Sequence, residues 1–228
     1  CIDELFFSTT DDRGVITAGN EVFVRISGYD ADELIGRPHN LIRHPGMPKA
    51  VFRLLWGHLD AGQPIMAYVK NRAKDGSHYW VAAVARPVDG GHLSVRLKPS
   101  TEIFDLARSL YIRMTAIEQE HADRGRGAAM DASEAYLLAE LRRLGFDGYD
   151  AFMRAALVAE VTARRDALAT GGGGVASTYR RGSALGRDLE AIMSDIARYE
   201  QLNEQLDQAS GVLVDIAEEG KLLALNAV

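Results

Sequence analysis

The sequence predicts an α+β fold: a five-stranded antiparallel sheet with flanking short helices, followed by an all-α helical region and a coiled coil. Three observations predict it. Up to about residue 98, short β-branched or aromatic runs alternate with short helical ones. From about 101 to 170, apolar residues recur every three or four positions between glycine breaks. Beyond Gly171-Gly172-Gly173-Gly174, apolar residues step alternately by four and three.

The elements follow in chain order. Leu5–Thr10 reads as a strand, Asp11-Asp12-Arg13-Gly14 as a tight turn and Val15-Ile16-Thr17 as the return strand of a hairpin. Asn20 opens a helix that runs to Ile26 and breaks at Ser27-Gly28-Tyr29, and Asp30–Leu34 is a capped start to a second. After Pro48, residues Ala50 to Leu59 carry apolar groups at helical spacing until Gly62 and Pro64 end the run. Met66–Arg72, Tyr79–Val88 and Leu93–Lys98 are three further strands, separated by Lys74-Asp75-Gly76-Ser77 and Asp89-Gly90-Gly91.

The helical region divides at Gly125–Gly127 and Gly145–Gly148 into about three helices, marked by Ile103, Leu106, Leu110 and Met114, by Tyr136, Leu137, Leu141 and Leu144, and by Phe152, Ala156 and Val161. The four glycines act as a flexible joint. The last segment carries the heptad track Leu185, Leu189, Ile192, Ile196, Tyr199, Asn203, Leu206, Ser210, Leu213, Ala217, which predicts a parallel homodimer with a polar, weakened seam. A plain surface helix is the alternative. The expected domains are therefore 1–98, 101–170 and 175–228.

Composition narrows the function classes. Of 228 residues, 47% are hydrophobic and 25% charged, and no apolar run approaches the roughly 18–20 residues of a membrane span. The lone Cys1 has no intramolecular partner, which fits a reducing compartment, and Cys1-Ile2-Asp3-Glu4 lacks the pattern of a signal peptide. A formal charge of −6 disfavours binding to nucleic acid or anionic lipid. No nucleophile elbow, phosphate loop or histidine–acid metal motif is present, so no catalysis is expected.

Several linked motifs carry a resemblance. Ser27-Gly28-Tyr29, Glu33-Leu34-Ile35-Gly36, Pro38-His39-Asn40, Arg43-His44-Pro45-Gly46, Val69-Lys70-Asn71-Arg72 and Asp75-Gly76-Ser77-His78-Tyr79-Trp80-Val81 occur in register between about Phe7 and Leu97. Together they resemble the PAS sensor domain of bacterial aerotaxis receptors. Ile216–Ala227 resembles the descending helix at the start of the cytoplasmic hairpin of methyl-accepting chemotaxis proteins. The resemblance implies the cytoplasmic sensor module of a chemotaxis or aerotaxis transducer, cut before the tip that binds the chemotaxis kinase and its coupling protein and without the family's usual membrane anchor.

In that family the pocket holds FAD, whose redox state reports on oxygen and energy supply. The residues implied here are His39 and Asn40 at the mouth, Arg43 against a phosphate or carboxylate, His44 as a nearby donor, Asn71 against a ring edge, and Trp56 or Trp80 as an aromatic wall. Gly46 stands where the family pattern has an acid, and Ile65 where it has a tryptophan. Each candidate has a plainer role: a surface ion pair for Arg43, a turn cap for His44, a backbone contact for Asn71, core packing for Trp56 and Trp80. Heme held by His58 is an alternative cofactor, with a half-exposed histidine on an amphipathic helix as its own plainer reading. A small-molecule receptor or protein-interaction module without a redox cofactor is a further alternative.

Overall fold

The computed structural model describes residues 4–170, all within one compact unit. The heptad track, the Ile216–Ala227 segment and Cys1 lie outside the described residues. Strands β1 (Phe6–Thr10) and β2 (Ile16–Gly19) form the opening hairpin; Asp11 accepts backbone N–H bonds from Arg13 and Val15 and so closes its turn. Helix α1 (Glu21–Ser27) is capped by the Asn20 side chain, which accepts the Phe23 N–H, and ends on Gly28 in the left-handed conformation. Helix α2 (Ala31–Leu34) starts with an Asp30/Glu33 capping box. A 3₁₀ turn over His39–Ile42, unforeseen from the sequence, precedes α3 (Lys49–Asp60).

Strands β3 (Ile65–Arg72), β4 (His78–Val88) and β5 (Gly91–Leu97) complete an antiparallel sheet of order β2-β1-β5-β4-β3. Gly91 lets β5 pass β1 closely, since a Cβ there would lie 1.9 Å from the Thr10 carbonyl oxygen. Three helices follow: α4 (Glu102–Glu120), α5 (Arg126–Arg143) and α6 (Tyr149–Thr170).

Strand periodicity sorts side chains to two faces. On one face Phe6, Val81 and Ala83 pack with Ile16, Phe23, Leu34 and Ile42. On the other, Met66, Tyr68, Ala82 and Leu97 pack with Leu110, Tyr111, Met114, Leu137, Leu141, Phe152 and Met153 of α4, α5 and α6. Residues 101–170 thus share a continuous core with the sheet. Among the described residues no helix is long and apolar enough to cross a membrane.

Candidate functional site

Between the inner face of the sheet and the helices before β3 lies a cavity of about 390 Å³. It falls in the range of about 300–1,000 Å³ usual for small-molecule sites. Helix α3 lines it with Phe52, Leu55, Trp56 and Leu59, spaced i, i+3, i+4, i+7 and so on one helical face. The sheet contributes the inward residues of alternating strands: Ser8 and Thr10 from β1, Val69 and Asn71 from β3, Ala83 and Ala85 from β4, and His92, Ser94 and Arg96 from β5. At the rim stand Arg13, Gly14, Asn40 and Trp56, whose indole is 37% exposed and meets the His92 ring edge-on at 5.4 Å.

Arg96 is the most constrained charge in this lining. It is 4% exposed, donates to Ser8 Oγ at 2.9 Å and the Ser94 carbonyl at 3.3 Å, and lies 2.7 Å from His39 Nε2. Its guanidinium sits over the rings of Phe6 and Phe23 at 5.6 and 5.7 Å. Among the described residues it has no carboxylate partner. Burial lowers its pKa to about 10, which leaves it cationic at neutral pH. Burial, then the Arg96 charge, pushes the His39 imidazole down to about 3. His39 is therefore neutral and accepts from Arg96 through Nε2.

Arg43 and Asn71, far apart in sequence, meet in an isolated antiparallel bridge that sets both on the cavity wall. The Arg43 guanidinium lies 3.5 Å above the Phe52 ring and forms no ion pair among the described residues. Asn71 is 2% exposed and its amide nitrogen has no hydrogen-bond partner, as is true of His92 Nδ1 on the same wall. Buried unpaired donors and acceptors are rare. Here they face a cavity, where a ligand can complete them.

The structure brings His39, Asn40, Arg43, Trp56 and Asn71 around one cavity and leaves out two residues expected there. Trp80 pairs with Lys70 across β3 and β4 and so points to the opposite face, where it packs against Phe104 at 5.4 Å and Tyr111 at 6.4 Å. His44 Nδ1 accepts the Gly46 N–H at 2.9 Å and its ring meets His78, outside the cavity lining. A Cβ at Gly46 would come within 3.0 Å of that nitrogen, so an acid at this position requires His44 to move. His58 also turns away: Nδ1 binds the Leu54 carbonyl and Nε2 lies 2.8 Å from Asp150 of α6, so heme ligation from His58 into this cavity does not fit.

Sequence reading missed Arg96, Ser8 and His92. The signal was present in β5, where His92, Ser94 and Arg96 alternate with Leu93, Val95 and Leu97. In a sheet covered on both faces, a polar phase of that kind marks a polar cavity.

Residues 16–97 match the family described as the PAS fold. Residues 16–97 form a PAS domain. The PAS domain is of the aerotaxis-receptor type: the chain is 44% identical to the aerotaxis receptor of Escherichia coli over 119 residues, covering 50% of this chain and 24% of that protein. It is 30% identical to the biofilm dispersion protein BdlA of Pseudomonas aeruginosa over 82 residues, covering 36% of this chain and 20% of the relative. The matched regions thus span about a quarter or less of these relatives. Among solved structures, the light state of the blue-light photoreceptor Aureochrome1 LOV aligns with TM-score 0.40 and 21% identity over 45% of this chain and 88% of that one.

Proposed function

We propose that this PAS domain is the cytoplasmic sensor of a chemotaxis transducer and that its cavity holds the ring system of FAD. The observation that carries the reading is the lining's charge: two guanidinium groups without a carboxylate partner among the described residues, from Arg43 and Arg96, and no carboxylate among the lining residues. A ligand that is both flat and anionic answers the aromatic and cationic walls together. The unpaired Asn71 amide and His92 nitrogen supply hydrogen-bonding capacity for a heterocyclic edge. A bound flavin supplies a ring whose charge and hydrogen bonding change on reduction. Arg96, held by Ser8 and neutral His39, fixes a positive charge beside that ring's binding space, and Arg43 on Phe52 orients a second. Signal passage into α4–α6, homodimerisation along the heptad track, and engagement of the chemotaxis kinase and its coupling protein in a longer receptor belong to the same proposal.

Titration of the purified protein with FAD, followed by visible absorption and flavin fluorescence, tests it. Binding is expected, with Arg43→Ala and Asn71→Ala each weakening it about tenfold or more, the scale of one lost charged or buried hydrogen bond. Failure to bind from excess FAD, or unchanged affinity in both variants, overturns the reading.

A further inference from the structure

Two buried glutamates outside the cavity lining tie its walls to the helices behind it. Helix α3, which lines the cavity, begins after Pro48, whose side chain offers no acceptor for the first free amides. The acceptor comes from α4. Glu118, 6% exposed, takes the Lys49 N–H through Oε2 and the Ala50 N–H through Oε1, both at 2.9 Å, and Ser133 of α5 donates to it at 3.1 Å. A second carboxylate holds the residues just before α4. The N-cap of α4, Thr101, makes no side-chain cap bond of its own. Glu160 of α6, fully buried, accepts from Ser100 N and Oγ at 2.7 and 3.0 Å and from Thr101 Oγ1 at 2.8 Å. The same carboxylate takes the Tyr68 hydroxyl of β3 at 2.9 Å.

Neither glutamate has a cation within salt-bridge distance among the described residues, so each charge is held by aimed donors and a helix start. Such a carboxylate tolerates little displacement, because losing a donor leaves buried charge uncompensated. Tyr68 lies three residues before Asn71 on β3, on the opposite face of the sheet. One helix and one strand of the cavity wall, α3 and β3, are therefore each bonded to one of these two side chains.

We propose that Glu118 and Glu160 form a two-step clasp, α3 to α4 and α4 with β3 to α6, that carries displacement of the cavity walls to α6, the last described helix. Hydrogen exchange on the whole chain tests it without any ligand. In Glu160→Ala, exchange accelerates about tenfold, the scale of one lost buried hydrogen bond, at Ser100 and Thr101 at the start of α4 and also at Lys49 and Ala50, which Glu160 does not touch. Acceleration confined to the start of α4 overturns the clasp. Tyr68→Phe, which loses one hydroxyl, is the milder variant if Glu160→Ala does not fold, and is read at the same two places.

A second arm uses FAD and rests on the flavin reading above. The wild-type chain is expected to shift the exchange of α6 amides when FAD binds, and Tyr68→Phe to lose at least about half of that shift while binding FAD as before. FAD binding with unchanged α6 exchange overturns the clasp. No FAD binding overturns the flavin reading instead, and the ligand-free arm decides the clasp alone.

Discussion

Arg96 is a cation whose burial the protein alone does not balance. Serine, histidine and two aromatic faces satisfy its hydrogen bonds and polarise toward it, yet no carboxylate neutralises it among the described residues. Arg96→Met removes the charge and keeps much of the volume. The variant is expected to be at least as stable as wild type in urea while binding FAD about tenfold or more weakly; equal affinity argues against a role at the ligand. Its neighbour His39 makes a pH prediction. With an ordinary pKa of 6.5 unfolded and about 3 folded, the unfolded state holds the extra proton between those values. Its contribution to stability is complete above 6.5 and is lost as pH falls towards 3, with a slope of up to about 1.4 kcal/mol per pH unit. His39→Gln is expected to flatten the denaturation profile in that window, and an unchanged profile shows that His39 titrates normally. Arg43 and Asn71 were legible in the sequence because motifs flag them. Arg96 was not, because a lone arginine between Val95 and Leu97, two residues from Lys98, looks like a solvated position until the pairing Phe6–Arg96 puts it on the inner face.

Elements were legible where local chemistry decides them. The Asn20 cap, the Gly28 stop, the Asp30/Glu33 box and the strand runs of β3, β4 and β5 fall within a residue or two of their expected ends, since each depends on neighbours in sequence. What failed was the face. Trp80 and Asn71 belong to neighbouring motifs, but the register Asn71–Tyr79 and Lys70–Trp80 sends them to opposite sides. Trp80→Ala is therefore expected to cost about 3 kcal/mol of stability in urea denaturation, by opening a void against Phe104 and Tyr111, and to leave FAD affinity of the folded protein unchanged. Weakened FAD binding would return Trp80 to the site. Gly91→Ala probes the sheet itself. With φ at +156° and the Thr10 carbonyl in the way, the added methyl must force β5 from β1, at a cost of at least about 2 kcal/mol by the same measurement.

At the scale of the molecule, residues 101–170 pack on the sheet and share its core. The glycine-bounded helices look separable because each carries its own apolar stripe. Those stripes close on one another and on the sheet together: Leu110, Tyr111, Met114 and Phe152 meet Leu137 and Leu141 as well as Met66, Tyr68 and Leu97 of the sheet, and Tyr111 and Tyr149 share a buried hydroxyl pair at 2.7 Å. Glu118 and Glu160 add bonds across 68 and 92 residues of chain, which no local pattern announces. Neither half has an apolar face it can leave bare, since an exposed face of that size invites association. Residues 4–170 are therefore expected to unfold as one cooperative unit. In urea, tryptophan fluorescence from Trp56 and Trp80 and hydrogen-exchange protection at Leu137 and Leu141 of α5 should report the same midpoint. An earlier loss of protection in α5, with fluorescence still native, would show the helices to be an independent domain. It would also remove the rigid connection through which the cavity's state is proposed to reach α6.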